Sequence, residues 1–199
     1  MWRPIHVWLA RCIKLAFVLL AGGSLYLAGM LPAAAEVIAE SVTVDHRQGA
    51  YFGHLAFDVV ASPATVREVL TDFEQMPAFM PNLESSRVLA HEGNVYRIAQ
   101  RGRASFGPVS YRFESERRIE WFPDGRLVSD AIGGTVRKVH SELIIRPGPL
   151  GSHIDYRIEM QPESWFPSAL GSAFLRHELA EQFSAMAREM ERRQQRAAH

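Results

Sequence analysis

Hydrophobic and polar positions divide the chain into a basic and then apolar start, a long stretch of alternating segments and a helical end. Tyr51, Leu55, Phe57 and Val59 share one parity and predict a first strand. Ser62-Pro63 reads as a helix N-cap followed by proline at the first helical position, where the missing N–H costs nothing. Ala64, Val66, Val69 and Leu70 continue it as a short amphipathic helix ending near Asp72. Phe73 to Pro81 follows as a second short piece, broken by its prolines. Turn signals at Glu92-Gly93-Asn94, Gly107-Pro108, Pro123-Asp124-Gly125, Gly133-Gly134 and Pro147 to Ser152 then separate alternating segments, which predicts six consecutive antiparallel strands. From Phe166 the period changes. Leu170, Phe174, Leu175, Leu179, Phe183, Met186 and Met190 mark one face of a helix of about 25 residues, with Arg176, Glu178, Glu181, Arg188 and Glu191 on the other face.

Pairing chemistry fixes two registers. Around Pro147 to Ser152, setting Ile145 against Ile154 brings Leu143 to Tyr156 and Ser141 to Ile158 on one face. The other face then pairs Glu142 with Arg157 and His140 with Glu159. Around Gly107-Pro108, one face carries Tyr96, Ile98, Ala104, Phe106, Val109, Tyr111 and Phe113. Its reverse carries Arg97, Arg101, Arg103, Arg112, Glu114 and Glu116, with Arg101 opposite Glu114. The pattern predicts one sheet with an almost wholly apolar inner face packed on the long helix.

Composition adds limits. The chain has 199 residues, 47% of them hydrophobic, with 22 basic and 22 acidic residues. That apolar fraction excludes a disordered chain, and the balanced charge argues against a nucleic-acid binder. The charge is unevenly spread. Residues 1–35 hold Arg3, Arg11 and Lys14 and no acid; Leu15 to Leu31 is uncharged, and Pro32-Ala33-Ala34-Ala35-Glu36 follows. A basic start, an apolar centre and a small-residue site predict a secretory signal peptide cut after Ala35. An uncleaved anchor is the alternative, although Gly22, Gly23, Ser24 and Gly29 suit a permanent helix poorly. The single cysteine, Cys12, precedes the apolar centre, unlike a lipoprotein cysteine. Cleavage leaves one domain, 36–199, exported to the periplasm or medium, mildly acidic and without cysteine.

Candidate chemistry is sparse. The histidines after the signal (His46, His54, His91, His140, His153, His177, His199) form no H-x-H or H-E-x-x-H pair, so no metal site is expected. His140 and Ser141 are neighbours on a strand and point to opposite faces, which excludes them as a dyad. No G-x-S-x-G elbow, P-loop or G-x-G-x-x-G is present, and no cofactor is expected. The stripe Arg97, Arg101, Arg103 reads as a solvated face matched to Glu114 and Glu116, in preference to an anion or lipid-headgroup site. The facing of Ser129 and Asp130 is not fixed by the pattern. The positive signal is the interior: Phe79, Met80, Phe106, Tyr111, Phe113, Trp121, Tyr156, Met160 and Phe174 are candidate ligand contacts. A filled core is the competing account of the same residues. Phe73, Met76, Phe79 and Met80 fall in the proline-broken segment, where they would form a greasy lip admitting a ligand or touching a membrane.

Val59-Val60-Ala61-Ser62-Pro63-Ala64-Thr65-Val66 running into Val69-Leu70-Thr71-Asp72-Phe73 resembles the START-like helix-grip (SRPBCC) superfamily, nearest its polyketide cyclase/dehydrase and coenzyme Q-binding branch. So do Met76-Pro77-Ala78-Phe79-Met80-Pro81-Asn82-Leu83, Ser86-Arg87-Val88-Leu89, and the Tyr156 strand leading through Met160-Gln161-Pro162 and Pro167 into the last helix. The likeness covers about Tyr51 to Arg193. It implies an α+β fold: a curved antiparallel sheet of about seven strands around a long C-terminal helix, with two short helices after the first strand. It further implies a hydrophobic small molecule (a lipid, isoprenoid quinone or polyketide-like compound) held between sheet and helix. Members share no catalytic motif, so none is carried over, and the export signal departs from quinone-binding members that act inside cells.

Three expectations follow. The first is a non-enzymatic carrier or sensor of a hydrophobic molecule. The second is a cyclase- or dehydratase-like enzyme with Tyr111, Tyr156 or Asp130 as acid or base. The third is a filled domain working through protein contacts. A cavity under the long helix is required by the first two, and an inward Asp130 or an arginine lining it favours the enzyme. Ligand identity and oligomeric state are not encoded in these patterns.

Overall fold

The computed structural model describes residues 34–107, 109–135, 138–161 and 168–199, all within one compact unit. In chain order the elements are α1 (Ala34–Ser41), β1 (Thr43–Arg47), β2 (Ala50–Val59) and α2 (Pro63–Thr71). A 3-10 helix over Phe73–Ala78 is followed by β3 (Leu83–Glu92), β4 (Val95–Phe106), β5 (Val109–Trp121) and β6 (Arg126–Gly134). The chain ends with β7 (Lys138–Gly148), β8 (Gly151–Gln161) and α3 (Ser168–Ala197). The eight strands form one antiparallel sheet in the order β1-β2-β8-β7-β6-β5-β4-β3, open at β1 and β3.

Local chemistry sets these elements. The Ser62 hydroxyl accepts from the Thr65 N–H at 3.2 Å and Pro63 occupies the first turn of α2, as the sequence predicts. Both predicted registers are present: Ile145 faces Ile154, Leu143 faces Tyr156, and Arg101 faces Glu114 with their side chains 3.2 Å apart. The strand count is eight instead of seven. The added β1 turns into β2 through Gln48 and Gly49, at φ 53° and 74°, a left-handed pair that suits a two-residue hairpin. Only Val44 of β1 is buried, so the strand leaves almost no alternation in the sequence. A second addition is α1, which packs on α3 and buries Ile38 completely. The predicted cut after Ala35 falls in its first turn, before Ile38.

The core lies between the sheet's inner face and α3. Phe174, Leu175, Leu179, Phe183, Met186 and Met190 are all buried, as the helical period requires. The expected polar face of α3 needs correction at Glu178, which is 4% exposed; Glu189, which the pattern left off that face, is also buried at 6%. α3 is covered on more than its sheet side, by α1 and α2 and by the segment leading into β3, so a single stripe does not describe its buried surface. No helix among the described residues is long and apolar enough to cross a membrane. Residues 1–33 of the predicted signal or anchor segment lie outside the described residues.

Candidate functional site

A cavity of about 120 Å³ lies between the sheet and α3. Successive strands present inward residues to it: Ile98 and Gln100 from β4, Arg117 and Ile119 from β5, Leu127 and Ser129 from β6, Ser141 and Leu143 from β7, and Tyr156 from β8. α3 adds Gln182, Phe183 and Met186. Leu70 of α2, Phe73 and Met76 of the 3-10 helix, and Met80 close the remaining side. The predicted greasy lip thus supplies Phe73, Met76 and Met80, each under 10% exposed.

The inner face is less apolar than the sequence pattern suggests. Arg117 alternates with Ile119 and Trp121 and therefore points inward. A bulge sits beside it: Glu116 pairs with Gly133 and Arg117 with Ala131, leaving Ile132 as the extra residue of β6. Arg117 Nη2 donates to Ser141 Oγ at 3.2 Å, while its Nε is buried without a partner among the described residues. Ser129 stands directly opposite Ser141 across β6 and β7, and each is 4% exposed. The Ser129 hydroxyl also has no partner among the described residues. Gln100 Nε2 donates to Ser86 Oγ at 3.2 Å and lies 3.6 Å from the Met76 sulfur. The lining contains no carboxylate and no imidazole among the described residues.

Of the nine predicted contacts, Met80 and Tyr156 line this cavity, and the Tyr156 ring leans on Phe183 with centroids 4.6 Å apart. Trp121 and Phe174 are buried in the core away from it; Arg67 lies 4.8 Å over the Trp121 ring. Phe113 rests on Gly102, Met160 packs at the β2–β8 pairing, and Phe79 closes the 3-10 helix beside the core. The Tyr111 hydroxyl donates to the Thr135 carbonyl at 3.4 Å, outside the cavity lining. The side chain of Phe106 lies outside the described residues.

Asp130 faces outward. Its carboxylate is 2.7 Å from His140 Nδ1; His140 stands opposite Glu159 as the predicted register has it, but its side-chain contact is with Asp130. Asp130 and Glu159 flank His140 on adjacent strands, and the short imidazole reaches one of them. Glu159 instead accepts from Lys138 at 3.1 Å, across the longer lysine stem. Two members of the arginine stripe are matched as expected, Arg97 to Glu116 and Arg101 to Glu114, while Arg103 takes Glu84 of β3, which the pattern did not name.

Two further polar clusters sit on α3. Glu178 Oε2 accepts from Asn82 Nδ2 at 2.8 Å, and burial pushes its carboxyl above the usual carboxylate range. With His177 and Glu181 it brings ligand-type atoms within 4.8 Å of one another, a set holding one imidazole in which Glu178 is already engaged by Asn82. Near the end of α3, Glu189 accepts from Arg192 and Arg193, and these hydrogen bonds, that from Arg192 foremost, lower its pKa against the effect of burial. Arg193 continues to Glu68 at 2.8 Å and Asp72 at 2.7 Å, tying α3 to α2.

The sheet, the gripped helix and the cavity between them define a START-like helix-grip domain. The chain belongs to the polyketide cyclase/dehydrase and lipid transport family, whose profile matches residues 59–187. Three solved structures share the fold. ZhuI aromatase/cyclase from Streptomyces sp. R1128 is 10% identical, with a TM-score of 0.62 over 75% of this chain and 96% of that one. A START superfamily protein from Mycobacterium smegmatis is 14% identical, with a TM-score of 0.59 over 73% and 98%. A STAR-related lipid transfer protein from Xanthomonas axonopodis is 13% identical, with a TM-score of 0.58 over 75% and 98%. No curated protein matches the chain in sequence.

Proposed function

We propose that the protein is exported and binds a hydrophobic small molecule in the cavity under α3, as a carrier or sensor. The observation that carries this reading is the cavity itself, walled by buried Ile98, Ile119, Leu143 and Phe183 and closed by Phe73, Met76 and Met80. Burial of apolar ligand surface there is favourable by roughly 25 cal/mol per Å². At about 120 Å³ the space holds one ring or a short chain. Drug-sized ligands occupy roughly 300–1,000 Å³, so a lipid or isoprenoid quinone requires the cavity to widen. Met76 and Met80 are unbranched and adaptable, which makes the lip the part that yields. Transient membrane contact during ligand exchange would require Phe73, Met76 and Met80, each under 10% exposed, to turn outward.

A second reading, a cyclase- or dehydratase-like enzyme, is favoured by Arg117 and Tyr156 sharing the cavity. The outward Asp130 weakens it, because the lining then offers no carboxylate or imidazole as general base.

Native mass spectrometry of the protein purified gently from the source membrane fraction tests the first reading. A co-purifying lipid or quinone is expected, and repeated recovery of the bare chain would count against it. Tyr156→Phe separates the two readings. A carrier keeps its ligand affinity, whereas loss of a product-forming activity marks the enzyme. Export is tested by the mass of the secreted chain, expected to begin at Glu36.

A further inference from the structure

The polar part of this cavity is more specific than a hydrophobic ligand needs. A guanidinium facing an apolar space loses hydration, and a cation so placed is costly unless an anion accompanies it. Among the described residues no carboxylate lines the cavity, and Arg117 donates to the uncharged Ser141. Its buried Nε–H, one half of the side-on fork that fits a carboxylate, is unpartnered. Ser129, 4% exposed, adds a second unpartnered polar group on the neighbouring strand. Ser141 lies between the two, opposite Ser129 and bonded to Arg117. Buried polar atoms are normally satisfied, and these two border the same recess. The other side of the recess, at Phe73, Met76 and Met80, is apolar.

We infer that the ligand is an apolar molecule bearing a carboxylate. Its anionic oxygens accept from the Arg117 Nε–H and the Ser129 hydroxyl, and its hydrocarbon part points toward the methionine lip. This rests on the proposed binding function and names the chemical class of ligand. The arrangement selects a hydrophobic acid over the alcohol of the same length, because the alcohol leaves Arg117 without a counter-charge. An arginine is suited to this task by its planar fork, which a lysine lacks.

The test uses the full chain with octanoate and octan-1-ol, two ligands of one length differing in charge, measured by calorimetry at neutral pH. The wild type is expected to bind octanoate at least about tenfold more tightly than octan-1-ol, a difference of about 1.4 kcal/mol. Arg117→Met is expected to bring the ratio near one by weakening octanoate while octan-1-ol binding persists. Ser129→Ala should weaken octanoate alone, by a smaller factor. Should Arg117→Met fail to fold by circular dichroism, Arg117→Lys replaces it, with the ratio expected to fall at least about threefold as the fork is lost. Equal binding of both probes by the wild type would overturn the inference while leaving hydrophobic binding intact, as would an unchanged ratio in the Arg117 variant. Binding of neither probe would count against the binding function as well.

Discussion

Glu178 and Glu189 lie three helical turns apart on α3, both nearly inaccessible, and their surroundings push them in opposite directions. Burial raises Glu178, so its contribution to stability is complete below the ordinary carboxylate pKa and is lost as pH rises through the higher folded value. Glu178→Gln removes that loss. The variant is expected to melt about 2–4 °C above the parent at pH 7, the shift that about 1 kcal/mol brings in a domain of this size, and level with it near pH 4. Glu189 is lowered, chiefly by Arg192, so its stabilisation is complete above the ordinary carboxylate range and is lost as pH falls through the folded value. Glu189→Gln should cost about 2 kcal/mol at pH 7 and progressively less in acid, measured by denaturant titration. Arg117 makes a third case. If it serves a ligand more than the fold, Arg117→Met leaves the ligand-free melting temperature unchanged or higher, and a fall of several degrees would assign it a structural role. Its position was within reach of the sequence: continuing the parity of Phe113 through Ser115 reaches Arg117 before Ile119 and Trp121. Charge alone argued for the outer face, and a charged residue on an inner face is where patterning misleads.

The elements themselves were legible wherever two strands carried complementary side chains. The β7–β8 register follows residue for residue from matched pairs, because a slip of one would place Glu142 and Arg157 inside. Elements that bury a single residue left no such mark, as with β1 and Val44. Nor does a helical period tell how many sides of a helix are covered, so the burial of Glu178 beside Asn82 was hidden. The first turns of α3 illustrate a contact that sequence propensity would misjudge. Gly171→Ala ordinarily favours a helix by about 1 kcal/mol. Here a Cβ at 171 would strike the hydroxyl and ring edge of Tyr51, itself 1% exposed. The clash outweighs the propensity, and the variant is expected to be destabilised by about 1–3 kcal/mol in equilibrium unfolding.

For the whole molecule, the order of strands and helices was readable and the emptiness of its centre was not. Whether Leu143, Ile119 and Phe183 close on one another or leave a space depends on volumes summed across eight elements, which no local pattern records. Ligand binding across that space joins the sheet to α3, so it should stabilise the fold as a unit. Octanoate at about a hundred times its dissociation constant is expected to raise the unfolding free energy by about 2.7 kcal/mol, checked by denaturant titration with and without the acid.

The methionine lip has a chemical consequence of its own. Three thioethers, on Met76, Met80 and Met186, border the space, and thioethers are open to oxidation by peroxide. Each sulfoxide formed would turn an adaptable apolar wall polar and close the pocket to grease. Met76 is 8% exposed and Met80 9%, so on the proposed widening of the cavity an oxidant would reach them faster than in the closed form. Their rate of oxygen uptake, followed by peptide mass, therefore clocks the opening of the pocket. A bound ligand should slow that clock severalfold while a free surface methionine ages at its usual pace.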